Sequence, residues 1–270
     1  MPWRTNLIYV YDATFDGFLS CVFESFSCRE LPVHILPQED CEASLYPIKW
    51  VDTDPEKARR VLDSIPRRIS AQARQLVIDS FYTCLPDKER HILNFLRLGY
   101  QVGKTVTNRI TDDRVMVLQK AVQHLGNEAH LFKGFLRFSV YGNVMVGVIE
   151  PKNFVLPMIA EHFCSRYQNE AFLIYDKTHR QALVHRPYEA VIVDLERLEL
   201  PQEGAEEIRF QQLWKRFYDT VGIEGRYNPR CRMTHMPKRY WSNMLEMKDT
   251  LSADHKENRP SAASLTARPA

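Results

Sequence analysis

The chain has 270 residues, 44% of them hydrophobic and 11% aromatic, enough to bury a core as one large domain or two small ones. A net charge of +2 selects no class of partner, so only the local placement of charge can. No apolar run approaches the roughly 18 residues of a membrane span, and no basic-then-apolar leader opens the sequence, so the expectation is a cytoplasmic protein with no membrane partner.

The six cysteines show no paired spacing and no C-x-x-C, as expected of reduced thiols in a reducing compartment. No metal or other cofactor is expected, and the C-x3-C-x2-C run of radical SAM enzymes is absent.

In chain order, residues 7–11 (LIYVY) read as a strand, and Asp12-Ala13-Thr14 as a turn into a helix. Phe15, Phe18, Leu19, Val22, Phe23 and Phe26 fall at helical spacing and define one apolar face. Residues 29–47, with three prolines and several acids, read as a loop, and Ile48 to Val51 as a short strand. Thr53 or Asp54 caps the next helix, with Pro55 at its first position and Pro66 as the expected break after Ile65. Ser70–Tyr82 and Asp87–Leu98 are the next helices. Thr111-Asp112-Asp113 starts another, running past Gly126 towards His130.

Residues 128–185 form the most apolar continuous stretch. Alternating β-formers flank Gly142-Asn143, a short hairpin signal. A helix follows, with Leu156, Ile159, Ala160, Phe163, Cys164 and Tyr167 on one stripe. Two strands, Ala171–Tyr175 and Ala182–His185, complete the unit. Ala190–Leu195 is a further strand and Ile208–Val221 an aromatic-rich helix. From Lys248 the composition turns to Ser, Ala, Thr, Pro and charge, a disordered tail over 248–270.

The fold class expected is α+β: a helical N-terminal half, then a mostly antiparallel sheet carrying a packed central helix, with a C-terminal helix. The expected organisation is one domain over 1–247, with a helical subdomain over 52–127 and a sheet subdomain over 128–200 as the alternative division.

Gly99-Tyr-Gln-Val-Gly103-Lys104-Thr105 imitates a phosphate-binding loop, but three residues separate the glycines where four are needed, and the preceding ILNFLRL is helical. The expectation is a helix C-cap glycine and a basic loop. Asp12 follows a strand and precedes a helix, a position that suits an active-site acid and equally a cap. His130, flanking the central strand, is the best-placed acid/base candidate, and Asp176 is a third candidate.

Residues 226–241 hold Arg226, Arg230, Arg232, Lys238 and Arg239 and no acid, interleaved with Tyr227, His235, Tyr240 and Trp241. Cations there would neutralise phosphates, and the rings of Tyr240 and Trp241 would stack on unpaired bases. The alternative is a C-terminal lid whose rings pack on the core.

YDATFDGFLSCVFE (11–24), VDTDPEKARRV (51–61), EAHLFKGFLRF (128–138), VLPMIAEHFCSRY (155–167), FLIYDKTHRQAL (172–183), LWKRFYDTVGI (213–223) and MPKRYW (236–241) occur in this order. Together they resemble a bacterial DNA-metabolism or DNA-repair family. Its genes typically sit beside a radical SAM protein of DNA modification or repair, and some members are fused to a uracil-DNA-glycosylase-like domain. The sequence departs from that pattern at Ala13, usually glycine, and at Leu131, usually basic. The resemblance implies a DNA-binding accessory subunit in repair with two partners, DNA and the radical SAM protein. It carries over no catalytic residues. Two alternatives stay open: a repair enzyme acting directly on a damaged base or nucleotide, and a protein-interaction scaffold.

Overall fold

The computed structural model describes residues 3–41, 44–226 and 228–247; the tail and Tyr227 lie outside the described residues. The fold is α+β, and the chain divides into two compact units. The first comprises residues 1–128 and 152–155, the second 129–151 and 156–270.

The first unit is built on a three-stranded parallel sheet in the order β2-β1-β3. Strand β1 (Ile8–Tyr11) is central and fully buried, β2 (His34–Pro37) pairs along one edge, and β3 (Ile48–Trp50) along the other. A strand buried on both faces reads as an unbroken apolar run, as IYVY does. Helix α1 (Phe15–Cys28) connects β1 to β2, and β3 leads into α2 (Pro55–Arg68). Then come α3 (Ala71–Phe81), α4 (Lys88–Val102) and the start of α5 (Asp113–Phe135).

Strand β2 lies in the stretch read as a loop. It has four residues, ends in a proline, and is held by pairing with β1, which local sequence does not announce. Helix α2 continues past Pro66 to Arg68. Proline there removes one bond, to the Leu62 carbonyl, in the last turn, while Ile65 is fully buried and its carbonyl still accepts from Ile69 N–H at 2.8 Å.

Helix α4 likewise runs through Gly99. A Cβ at that position would meet Ile69 Cδ1 at 2.6 Å, so glycine there serves close packing. The cap is Gly103, at φ 74°, and a 3-10 turn over Gly103–Asn108 follows it. The core of this unit gathers Tyr9, Phe18, Leu19, Ile35, Ile65, Phe95 and Leu96, all almost fully buried.

The second unit carries a five-stranded sheet in the order β4-β5-β6-β7-β8. Its strands are β4 (Phe138–Tyr141), β5 (Val144–Ile149), β6 (Ala171–Asp176), β7 (Gln181–Arg186) and β8 (Glu189–Asp194). Only the β5–β6 pair is parallel, with α6 (Leu156–Arg166) as its crossover. Leu156, Ile159 and Phe163 are the buried residues of α6. Phe163 and Tyr167 meet Phe138 edge-on, with ring centroids 5.7 and 5.5 Å away. Helix α5 extends through Gly126 and Gly134 to Phe135, so His130 is a helical residue with more than a turn still to follow, not a junction residue.

After β8 come α7 (Ala205–Val221) and α8 (Pro229–His235), with 3-10 turns at Glu224–Arg226, Lys238–Asn243 and Leu245–Met247. Among the described residues no helix is long and apolar enough to cross a membrane.

Candidate functional sites

Two places concentrate residues singled out by sequence. The first is the corner where β1 runs into α1. Thr14 is the N-cap of α1, its hydroxyl accepting from Gly17 N–H at 2.9 Å. Ala13 just before it has φ 64°, in the left-handed region that glycine occupies without strain.

Asp12 Oδ1 accepts from the Thr14 N–H at 3.0 Å and the Thr14 hydroxyl at 2.7 Å, and Oδ2 accepts from the Thr53 hydroxyl at 2.6 Å. Thr53 directly precedes Asp54, the N-cap of α2, whose carboxylate accepts from Glu56 and Lys57 N–H groups. Asp12 therefore ties together the starts of two helices. Burial pushes its carboxyl up, but the hydrogen bonds from Thr53 and Thr14 outweigh that and hold it below the usual carboxylate range.

This corner lies at the carboxyl end of the central parallel strand, where open α/β sheets place ligands. Here, however, both oxygens of the acid are spent on holding the turn.

Gly17 makes the arrangement possible. A Cβ there would lie 2.1 Å from Asp12 Oδ1 and 2.8 Å from Thr53 Oγ1. Gly17→Ala is therefore expected to destabilise the protein by about 1–3 kcal/mol, as overpacking typically does, despite alanine's better helix propensity. With Asp12→Ala in the same chain the obstructing oxygen is gone, so the double variant should be well short of additive. Urea unfolding of the two single variants and the double measures this, and additive losses would show that Asp12 is not what Gly17 makes room for.

The other two acid/base candidates do not join Asp12. Asp176, fully buried at the end of β6, closes the β6–β7 turn. Its Oδ1 accepts from Thr178 N–H at 3.0 Å and His179 N–H at 3.1 Å, and Oδ2 lies 2.7 Å from His179 Nδ1. His130 is exposed on α5. These two belong to the second unit and Asp12 to the first. Among the described residues no group of three or more His, Cys, Asp or Glu side chains could hold a metal ion.

The second place is the basic segment. Asn228 caps α8 by accepting from Cys231 N–H, and Pro229 takes the first helical position. Arg226, Arg230, Lys238 and Arg239 are exposed, and Arg232 is half-buried.

The two rings expected to stack on bases are instead in the core: Tyr240 is 4% exposed and Trp241 1%. Tyr240 sits against Phe132 and Phe135 of α5, with centroids 5.0 and 5.5 Å away. Trp241 Nε1 donates to the Met236 carbonyl at 2.8 Å. Cations lie over both rings: Arg232 5.2 Å and Lys238 5.7 Å from the Trp241 centroid, and Arg239 4.6 Å from that of Tyr240. The rings thus serve as pins beneath a cationic surface. Nearby, buried Glu246 accepts from Arg137 Nη2 at 2.8 Å and from Trp214 Nε1 at 3.2 Å.

Composition did not reveal a cleft between α7 and α8. About 790 Å³ in volume, it is lined by Phe217, Tyr218, Val221 and Ile223 together with Arg226 and Arg232, with Asp219 and Asn228 also in the lining. Phe217 and Val221 belong to a row on α7, with Phe210 and Leu213, at i, i+3, i+7 and i+11, and these four are 51–66% exposed. The helical spacing of this row was visible in the sequence, but not that nothing among the described residues covers it.

A family model described as a domain of unknown function, DUF4130, matches residues 86–246, more than half of the chain. The chain belongs to the DUF4130 family. The matched DUF4130 stretch begins just before α4 and ends at Glu246, so it contains His130, Asp176 and the whole basic segment but not the Asp12 corner. No curated protein matches the chain.

Proposed function

We propose that this DUF4130 protein is a DNA-binding accessory protein of DNA repair, working beside a radical SAM partner, and that the α8 segment is its phosphate-binding surface. The observation that carries the reading is the pinned segment. Tyr240 and Trp241 are buried, while Arg226, Arg230, Lys238 and Arg239 of the same sixteen-residue stretch face solvent, with no acidic residue among them. A cationic surface on a fixed support meets a regularly charged backbone at lower entropic cost than a floppy tail would. Support also comes from the resemblance of seven ordered stretches to the DNA-metabolism family.

The direct-enzyme alternative has less behind it. Asp12 is engaged through both oxygens by Thr14 and Thr53, and Asp176 closes a turn. The scaffold alternative differs from the proposal in requiring no DNA affinity.

The test is a salt titration of fluorescent duplex DNA with the full chain. Replacing Arg230, Lys238 and Arg239 together with alanine should weaken binding to all sequences alike. It should also flatten the slope of log affinity against log salt by up to about 3, one near-unit step per lost phosphate contact. An unchanged slope with an unchanged melting temperature would remove the segment from the DNA interface. Co-purification with the radical SAM protein tests the partner.

A further inference from the structure

We infer that the cleft between α7 and α8 takes an unpaired nucleotide, so that the protein prefers single-stranded or gapped DNA to intact duplex. The inference rests on the DNA-binding reading above and assigns the substrate class of that surface.

Stacking on an unpaired base needs a flat apolar face that is open to solvent and flanked by cations. Tyr240 and Trp241 have the rings but lie in the core, 4% and 1% exposed. Phe217 has both features: it is 57% exposed on α7 and lines the cleft with Tyr218. Val221 and Ile223, each 60% exposed, extend the apolar floor. At about 790 Å³ the cleft falls within the roughly 300–1,000 Å³ that small-ligand pockets span. A base and its sugar fit in it; a stacked base pair held within a duplex cannot enter, because its faces are covered.

Charge selects the occupant. Arg226 and Arg232 line the cleft, and exposed Arg230 stands on α8 between them in sequence, so the cleft is continuous with the proposed phosphate surface. A strand whose phosphates follow these arginines brings its base towards Phe217. Asp219, the acidic lining residue, disfavours phosphate at its part of the cleft and can accept from an exocyclic amino group. The Asn228 side-chain oxygen is already engaged by Cys231 N–H. An apolar protein segment would fit the floor of the cleft but would offer no charge to the exposed guanidinium of Arg226.

The experiment titrates the full chain against a fluorescein-labelled oligodeoxythymidine and a blunt duplex of equal length, over a salt series, with a thermal melt of each variant. The wild-type chain should bind the single strand more tightly. Phe217→Ala should weaken single-strand binding roughly 5- to 150-fold, the range for losing one base–aromatic stack. Duplex binding, the salt slope and the melting temperature should hardly change, because Phe217 is exposed and carries no charge. Phe217→Trp should retain or raise the single-strand preference.

Equal affinity of the wild type for both DNAs would overturn the inference and leave the phosphate surface standing. So would unaltered single-strand binding by Phe217→Ala, the result expected if the cleft docks a protein. Absence of any DNA binding at low salt would overturn the DNA reading itself, and the inference with it.

Discussion

Trp241→Ala is expected to cost about 3–5 kcal/mol of stability, the range for emptying a large aromatic site in a core, and, on the DNA-binding proposal, to abolish binding through the basic segment as a consequence. The indole is 1% exposed and its N–H is satisfied by the Met236 carbonyl. Its ring also carries Arg232 and Lys238 at 5.2 and 5.7 Å. Removing it creates a cavity, leaves a carbonyl without its donor and releases two cations at once. Trp241→Phe keeps most of the volume and loses the N–H, so it should cost less, with about 1 kcal/mol of the loss from the hydrogen bond. Thermal melts of the three proteins, run beside a duplex-DNA titration, decide the matter. A full drop in affinity with an unaltered melt for Trp241→Ala would mean that the ring meets a base after all, as its company of arginines suggests when the sequence is read alone.

That contrast shows where the sequence was legible. The five cations between Arg226 and Arg239 could be read from composition, because charge needs no partner to be recognised. The burial of Tyr240 and Trp241 could not. They sit in a 3-10 turn of six residues, too short for a periodicity that separates an inner face from an outer one. Phe132 and Phe135, which receive Tyr240, lie more than a hundred residues earlier.

The same logic divides the fold. The sheet of the second unit was legible strand by strand, since β4 to β8 and α6 are joined by short turns and alternate or repeat clearly. In the first unit the strand at 48–50 was visible, but its place beside β1 was not, and β2 was missed altogether. Parallel pairing depends on chain segments brought together by α1 and by a loop, and no local signal encodes it. Asp12 was recognisable as a turn acid, yet its bond to Thr53, 41 residues away, belongs to that same pairing.

The second large effect is expected at Glu128, which opens the EAHLFKGFLRF stretch but was assigned no role from sequence. It is 2% exposed within α5. Its Oε1 accepts from Lys152 N–H at 3.1 Å, and its Oε2 from Asn153 N–H at 2.8 Å and Asn153 Nδ2 at 2.6 Å. Asn153 Oδ1 in turn accepts from Cys84 N–H at 2.9 Å. The next residue, Phe154, donates its N–H to the Tyr82 carbonyl at 2.8 Å and meets the Tyr82 ring edge-on at 5.7 Å. Segment 152–155, which counts with the first unit, is therefore held by one carboxylate, one amide and one ring. Glu128→Ala strands three donors, each worth roughly 1–3 kcal/mol when buried without a partner. Since water can reach some of them, the total loss should be about 3–5 kcal/mol, on the scale of breaking a buried charged contact. Glu128→Gln keeps the shape and can keep its oxygen on Asn153, but then turns its NH2 towards the Lys152 N–H, so it should lose about 1–2 kcal/mol. Urea unfolding gives the energies, and hydrogen exchange at the Asn153 amide gives the place. Glu128→Ala should speed exchange there far more than at Tyr9 or Val10 in the buried strand β1. A loss well under 1 kcal/mol, with Asn153 still protected, would show that the segment is held by Phe154 and Tyr82 instead.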